Sequence, residues 1–282
     1  MNPTIRQREL GRRLREQRLE HGLTVEEVAE RLQCSATKIS RLETGTRRPS
    51  LRDVRDLCGM YNVDAATTGE FMELATGARE QVWWTQYEDL NLDPYLGLEQ
   101  VATAITSFTA FYLPALLQTE EYTREVIKKI APRMDPDIYR QRIEVRMRRQ
   151  EVLERDNRPC YRVLLDESVL CRPVGGPALM TAQIDKILQT EREGKATIQL
   201  VPFDLGVLPA EDSNFVLLEF DDETSISPTV FVEGLTRNQY LENSADVVRY
   251  KEAIDCLRYS ALNAHDSAEH ITEMRRRYGG HL

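Results

Sequence analysis

The feature that most constrains the fold is the segment at residues 23–49, LTVEEVAERLQCSATKISRLETGTRRP. Thr24 is followed three residues later by Glu27, a capping-box pattern in which a hydroxyl and a carboxylate satisfy backbone amides at a helix start. Ser35 can cap a second helix, which Gly45 ends. The pattern predicts two short amphipathic helices, separated by a tight turn and followed by a basic loop.

Helical patterns flank this segment on both sides. A first helix is predicted over residues 4–21, with Gly22 as its stop signal. The leucines expected to face inward on this helix are Leu10, Leu14 and Leu19. A fourth helix begins after Ser50 and a fifth near Asp64. Residues 1–76 are therefore predicted to form an all-α domain of five short helices.

The central segment resembles the helix-turn-helix of phage-repressor-like (Xre family) regulators. The resemblance rests on the small residue Ala29 in the first helix and on Glu43, Thr44 and Gly45, which close the second. It implies a DNA-binding module whose second helix lies in the major groove. It also implies a structural ion pair between Arg18 and Glu43 that holds this helix in place.

The DNA contacts are predicted from the resemblance together with how a helix fits the major groove, where its N-terminal half meets base edges and flanking basic groups meet phosphates. Thr37 can hydrogen-bond a base, and Arg41 can bind guanine through two hydrogen bonds. The resemblance implies that Ala36, Thr37 and Arg41 face the bases, with Lys38 and Ser40 at the edge of that face, and these five are the predicted base-reading residues. The predicted phosphate contacts are Thr24, Val25 through its backbone amide, Ser35, Arg47 and Arg48. A solvated loop is the simpler interpretation of the last two arginines, but their place beside the recognition helix favours contact.

Charge is divided unevenly along the chain. The 282 residues carry a net charge of −9, which by itself argues against a nucleic-acid partner. Residues 1–60 hold 13 Lys and Arg against 9 Asp and Glu, a net charge of +4. The remaining 24 against 37 give residues 61–282 a net charge of −13. Only the N-terminal part is therefore predicted to bind a polyanion.

The length predicts two domains, since one domain typically has about 100–200 residues.

Several classes of protein are disfavoured. Five cysteines stand far apart with no CxxC pair, so neither a zinc site nor a disulfide framework is indicated. The GxSxG, GxxxxGK(S/T), GxGxxG and HExxH motifs are missing, so we expect no enzyme activity and no cofactor. His265 and Glu269 share a helical face, but a lone pair is weak evidence for a metal, and none is expected. No apolar run approaches the roughly 18 residues of a membrane span, so a cytoplasmic, nucleoid-associated protein is expected.

Residues 77–97 break the helical pattern and are predicted to connect the two domains. They contain Trp83, Trp84 and Tyr87, and the two tryptophans are the only ones in the chain. Aromatic side chains mostly supply buried area, so the favoured interpretation is that they anchor the connection on the second domain. The alternative is that they form the walls of a ligand pocket.

Residues 98–282 are predicted to form a larger α+β domain with a small mixed sheet and flanking helices. A helix is expected over about 98–111, and its apolar face would carry Val101, Ile105 and Phe108. The segments that read as strands are 161–165, 197–201, 215–220 and 229–233. Further helices are expected over 135–156, 177–193, 244–262 and 264–278.

The same region resembles the large uncharacterised domain that follows Xre-type helices in actinobacteria. The resemblance rests on LPALLQTEEY at 113–122, RRQ at 148–150 with Leu153, LDESVL at 165–170, VPFD at 201–204, FVE at 231–233 and RY at 249–250. The group includes WhiJ-like developmental regulators and proteins described as antitoxin-like. The resemblance implies a transcription regulator that works with a small partner protein of the BldB-like kind.

A single helix-turn-helix module offers limited surface and charge for DNA. Tight operator binding is expected to need two copies on half-sites roughly 34 Å apart, so we expect a homodimer, with the second domain as the favoured place of dimerisation. Two roles for that domain stay open. It binds the small partner protein, or it binds a small molecule that alters the geometry of the dimer.

The helix predicted over 135–156 carries Arg146 and Arg149 among many other charged residues. Such a run is usually a solvated face with ion pairs between residues i and i+4. The sharper hypothesis is that these arginines dock an acidic partner or a DNA phosphate.

Overall fold

The computed structural model describes residues 3–90, 93–207, 214–221, 226–234 and 238–280. The chain divides into two compact units. Most of the first is Met1–Val101, and the second comprises Ala102–Phe220 and Ser227–Leu282. The first unit is all-α and the second is α+β, as the sequence predicts. The finer division into residues 1–76, 77–97 and 98–282 stays a prediction.

The first unit begins with the five predicted helices. They are α1 (Pro3–Glu20), α2 (Val25–Arg31), α3 (Ala36–Glu43), α4 (Leu51–Met60) and α5 (Ala65–Gly77). A 3₁₀ segment, Trp83–Leu90, and α6 (Asp93–Glu99) follow them. Four of the helices begin after a residue whose side chain accepts a hydrogen bond from a backbone amide, and these caps are Thr24, Ser35, Ser50 and Asp64. Local sequence therefore fixes where these helices start.

These helices enclose one apolar core. Its buried residues are Leu10, Leu14, Val28, Ala29, Ile39, Leu42, Val54, Leu57, Cys58, Tyr61, Phe71 and Ala75. The predicted inward position of Leu19 is wrong, because this side chain is 57% exposed. Arg18 lies inward at that end of α1 instead, since its guanidinium pairs with buried Glu43. Gly11 allows α1 to approach the end of α3, where a Cβ would lie only 2.6 Å from two backbone carbonyl oxygens.

The second unit is built on a six-stranded mixed sheet. Its strands are β1 (Ala104–Thr109), β2 (Cys160–Asp166), β3 (Thr197–Val201), β4 (Phe215–Glu219), β5 (Thr229–Val232) and β6 (Gln239–Leu241). Their order across the sheet is β3-β2-β1-β4-β5-β6. The pairs β1–β2 and β2–β3 are parallel, while β1–β4, β4–β5 and β5–β6 are antiparallel. The predicted small mixed sheet is therefore confirmed.

Helices flank this sheet, again as predicted. They are α7 (Glu120–Ile130), α8 (Pro136–Arg149), α9 (Glu167–Cys171), α10 (Pro177–Arg192), α11 (Ser244–Ser260) and α12 (Ala264–Gly279). Short 3₁₀ segments lie at Ala115–Leu117, Gln150–Glu154 and Phe203–Leu205. Helix α11 packs on β3 and β5, and α12 packs on β3 and α10. Phe108, Leu164 and Phe215 share a buried cluster with α11, while neighbouring Val163 and Leu165 are fully buried on the other sheet face.

The predicted helix over residues 98–111 is wrong, because the chain forms β1 there. Five consecutive residues of β1, from Ile105 to Thr109, are buried. A central strand covered on both faces has no alternation of polar and apolar residues, so periodicity does not distinguish it from a helix. Pairing with β2 and β4 decides the outcome, and both partners are distant in sequence.

Candidate nucleic-acid interface

Local hydrogen bonds build the turn between α2 and α3. The amide of Thr24 donates to Oε2 of Glu27 at 2.7 Å, and the amide of Glu27 donates to Oγ1 of Thr24 at 3.2 Å. The first of these bonds is the main reason that the pKa of Glu27 lies below its ordinary value. The amide of Lys38 donates to Oγ of Ser35 at 3.2 Å, and Gln33 turns the chain with a φ of 50°. These contacts define the start and the separation of the two helices.

A buried ion pair fixes α3 to α1. Nε and Nη2 of Arg18 donate to Oε1 and Oε2 of Glu43 at 2.7 and 2.9 Å. Nη1 of Arg18 donates to the carbonyl of Leu23 at 2.7 Å. The hydrogen bonds with Glu43 raise the pKa of Arg18 above its ordinary value. The structure thus brings together the two residues of the implied ion pair, and each of the three guanidinium nitrogens donates to an acceptor.

The exposed face of α3 carries three of the five predicted base-reading residues. Thr37, Ser40 and Arg41 are exposed, whereas Ala36 and Lys38 are half-buried. Ala36 packs against the apolar core of the unit. The surface that α3 offers to a partner therefore centres on Thr37, Ser40 and Arg41.

Lys38 ties α3 to α4 through a contact that sequence reasoning missed. Its Nζ lies 2.6 Å from Oδ1 of Asp53, and the amide of Asp53 donates to Oγ of Ser50 at 3.0 Å. Burial raises the pKa of Asp53, but the hydrogen bonds from Lys38 and Ser50 outweigh this effect and leave the pKa below its ordinary value. From the sequence alone, Asp53 is only an acidic residue in the first turn of α4. Its partner Lys38 lies 15 residues away, a separation that no helical spacing predicts.

The predicted phosphate contacts lie at both ends of the α2–α3 unit. Thr24 and Ser35 are exposed at helix starts, with Val25 half-buried at the first position of α2. Backbone amides at a helix start lack intrahelical partners and favour phosphate. Beyond α3, the amide of Arg47 donates to the carbonyl of Arg41 at 3.0 Å, which brings these two exposed arginines together. The neighbouring predicted contact, Arg48, is half-buried.

Two family models match the chain. One, described as "Helix-turn-helix domain", matches residues 9–71, which include all of α2, α3 and α4. The other, described as "Domain of unknown function (DUF5753)", matches residues 92–273, more than half of the 282 residues. The chain belongs to the DUF5753 family. No curated protein and no solved structure matches it. The helix-turn-helix match supports a DNA-binding regulator, since α3 is the helix that such a module presents to the major groove.

In this DUF5753-family chain, Trp83, Trp84 and Tyr87 belong to the first unit. The ring of Trp83 meets those of Trp84 and Tyr87 edge-on at 5.5 and 6.3 Å. Trp84 and Tyr87 are buried, and Trp84 lines a cleft together with Thr46 and Arg48. The structure therefore places Trp84 beside the loop that follows α3. That these aromatics anchor the connection on the second domain, or form a ligand pocket, stays a prediction.

Arg146 and Arg149 lie on α8 within the DUF5753 match, and both are half-buried. Nη1 of Arg146 donates to Oε1 of Gln118 at 3.2 Å. Arg140, on the same helix, is exposed and pairs with Asp137, as expected of a solvated face. The helix thus combines a solvated part with two arginines that are withdrawn from water.

The described residues also bear on metal and membrane sites. Within them, His265, Asp266 and Glu269 form a cluster close enough to share one ion, with 3.6 Å between Nε2 of His265 and Oε1 of Glu269. All three are exposed, and exposed acidic groups commonly stand together without an ion. In the same parts of the chain, no helix combines the length and apolar character that a membrane crossing requires.

Proposed function

We propose that this protein is a sequence-specific DNA-binding transcription regulator that reads the major groove with α3. The observation that carries the proposal is the exposed set Thr37, Ser40 and Arg41 on a helix fixed from two sides. The Arg18–Glu43 pair joins α3 to α1, and the contact from Lys38 joins it to α4. A rigid helix with exposed polar side chains is what direct reading of base edges requires.

The residues of the interface divide into two roles. Arg41 donates two hydrogen bonds to guanine, and Thr37 contacts a neighbouring base. Arg47 neutralises a phosphate, together with the amides at the starts of α2 and α3. The net charge of +4 on residues 1–60 supports this assignment, because phosphate neutralisation requires a basic surface.

Substitution of Arg41 tests base reading. Arg41→Ala should weaken binding to the cognate operator by about 1–3 kcal/mol and relax the preference at one base pair. Arg15→Ala is the matched control, since it removes an exposed charge from α1 outside the proposed interface. Binding is measured on operators selected from random DNA and on their single-base variants. Equal losses on cognate and random DNA for Arg41→Ala would exclude its base-reading role.

Substitution of Arg47 tests phosphate contact. Arg47→Ala should weaken binding to all sequences alike and reduce the slope of log K against log salt concentration by about 1, because one fewer counterion is released. The same titrations over salt concentration supply the measurement. An unchanged slope would remove Arg47 from the phosphate contacts.

We further propose that the regulator is an Xre-family protein of the antitoxin-like, WhiJ type, found in actinobacteria and acting in development as a nucleoid-associated cytoplasmic protein. The chain forms a homodimer through its second unit, which also binds a small BldB-like partner protein, and it catalyses no reaction. The sequence resemblances and the absence of the enzyme motifs named above support these assignments. Native purification with mass measurement tests them, and a monomer without a stoichiometric small protein would contradict both the dimer and the partner.

A further inference from the structure

Outside the helix-turn-helix, the second unit contains a group of arginines that the proposed function does not use. Arg142, Arg146 and Arg149 stand at positions i, i+4 and i+7 of α8, which places them on one helix face. All three are half-buried, and the charges of the other two act on Arg146. Residues 61–282 carry a net charge of −13, so this basic group lies in an otherwise acidic part of the chain. We call these three arginines, with Tyr112 beside them, the arginine recess.

Arg146 has few acceptors. Among the described residues, its hydrogen bonding is limited to Oε1 of Gln118 at 3.2 Å, an atom that also accepts from Oγ1 of Thr123 at 2.9 Å. Glu233 is near enough for its charge to act on Arg146, but this carboxylate is hydrogen-bonded by the hydroxyl of Tyr112 at 2.6 Å. Burial is the main cause that lowers the pKa of Arg146, and the charge of a neighbouring arginine adds to it. Arg146 therefore carries a desolvated charge whose direct partner is a neutral amide.

Arg142, on the same face of α8, also lacks a hydrogen-bond acceptor in the described parts of the chain. Its Nε is buried and has no hydrogen-bond partner among the described residues. The great majority of buried polar atoms in folded proteins have a partner, and guanidinium groups supply only donors. Arg142 and Arg146, on one face of α8, thus both lack an anionic hydrogen-bond acceptor in the same parts of the chain.

We propose that the arginine recess binds a small anion through a phosphate or carboxylate group. A guanidinium presents its N–H donors in a planar fork that matches the oxygens of both groups. The bound group would supply acceptors to Arg142 and Arg146 and would offset the repulsion between their charges.

The depth of these arginines favours a small anion over a macromolecule. A DNA duplex or a folded acidic protein reaches exposed side chains first, and on α8 the exposed arginine is Arg140, which already pairs with Asp137. Arg142 and Arg146 are half-buried, so only part of each side chain meets solvent, and a compact ion needs less exposed surface than a folded partner does.

Anion binding to α8 should also affect the neighbouring 3₁₀ segment at Ala115–Leu117. At the end of α8, Nε2 of Gln150 donates to the carbonyls of Ala115 and Gln118 at 2.8 Å. An anion held by α8 should therefore stiffen the contact between α8 and the 3₁₀ segment at Ala115–Leu117. This inference goes beyond the proposed function, because it concerns the second unit alone and requires no DNA.

The test uses the full chain without DNA and compares inorganic phosphate and citrate with NaCl at equal ionic strength. Phosphate, citrate or both should raise the unfolding midpoint of the second unit and slow hydrogen exchange in residues 112–150, and NaCl should not. In Arg146→Met and in Arg142→Gln the apparent affinity for the anion should fall by about 10-fold or more. Arg140→Gln removes a charge from the same helix and should bind as the unsubstituted protein does.

The proposal is overturned if neither anion acts beyond NaCl, or if Arg140→Gln loses as much affinity as the other two variants. It is also overturned if duplex DNA or polyglutamate protects α8 while phosphate and citrate do not, because the occupant is then a macromolecule. A response to only one of the two anions identifies the preferred group. Circular dichroism checks folding, and if one variant is misfolded the other decides. Operator binding is measured separately, so a failure of either proposal is recognised independently.

Discussion

Arg18 in the first unit and Arg146 in the second are both withdrawn from water, but they meet different acceptors. Arg18 donates to both oxygens of Glu43 and to a backbone carbonyl, and its pKa is raised. Arg146 donates to the amide oxygen of Gln118 and stands beside like charges, and its pKa is lowered. The same side chain therefore lies in two opposite electrostatic settings within one protein.

The difference indicates what each arginine is for. An ion pair in which each guanidinium nitrogen has an acceptor holds two helices in one geometry, which is what a recognition helix needs. A desolvated arginine without an anion contributes little to stability, and it is retained at a cost unless something else supplies the anion. Glu43 supplies the anion for Arg18, and the proposed ligand would supply it for Arg146.

The largest expected effect on stability comes from removing the anionic partner of Arg18, which leaves Arg18, like Arg146, without an anion. Glu43→Leu removes the carboxylate and leaves the guanidinium buried without an anion, which should destabilise the first unit by about 3–5 kcal/mol. Urea unfolding followed by tryptophan fluorescence reports on this unit, because both tryptophans, Trp83 and Trp84, belong to it.

Two controls sharpen this result. Glu70→Gln breaks the exposed pair with Arg13 and should cost less than about 1 kcal/mol. The double variant Arg18→Met with Glu43→Leu removes both charges and should recover most of the lost stability. If the double variant is as unstable as Glu43→Leu alone, the loss arises from packing and not from the lone charge, and the contrast with Arg146 fails.

How well the sequence predicts each unit follows from how local its signals are. In the first unit, Thr24 and Ser35 cap amides only three residues ahead, so both helix starts could be predicted from spacing alone. The Arg18–Glu43 pair came from the resemblance to a known module. The contact between Lys38 and Asp53 could not be predicted, because it exists only once α3 and α4 are packed.

In the second unit, the decisive contacts are distant in sequence. The strand β1 reads as a helix until β2 and β4 pair with it on either side. The environment of Gln118 is likewise assembled from separate segments, since its side chain and carbonyl meet Thr123, Arg146 and Gln150. The sequence could therefore mark Arg146 as a candidate but could not indicate that its acceptor is an amide.

A smaller effect is expected from the acceptor of Arg146. Gln118 is fully buried, and its side chain also donates to the carbonyl of Leu113 at 2.6 Å. Gln118→Met keeps the volume but leaves buried polar partners unpaired, which should destabilise the second unit by about 2 kcal/mol. Far-ultraviolet circular dichroism during urea unfolding provides the measurement. Gln189→Met, at an exposed position on α10, should change stability by less than about 0.5 kcal/mol, and an equal loss there would deny Gln118 a special role.

The smallest expected effect has the opposite sign and separates the two arginines most directly. Arg146→Met removes a desolvated charge from beside Arg142 and Arg149, so in buffer without multivalent anions it should leave the stability unchanged or raise it by up to about 1 kcal/mol. Arg18→Met leaves Glu43 buried without its cation and should instead destabilise the first unit.

The unfolding of both variants in urea is compared with and without phosphate. If the arginine recess holds an anion, phosphate should stabilise the unsubstituted protein and make it more stable than Arg146→Met. Phosphate should not reverse the order of the unsubstituted protein and Arg18→Met, because the ligand completes an ion pair only at Arg146. A loss of several kcal/mol for Arg146→Met without phosphate would mean that Arg146 is as fully compensated as Arg18.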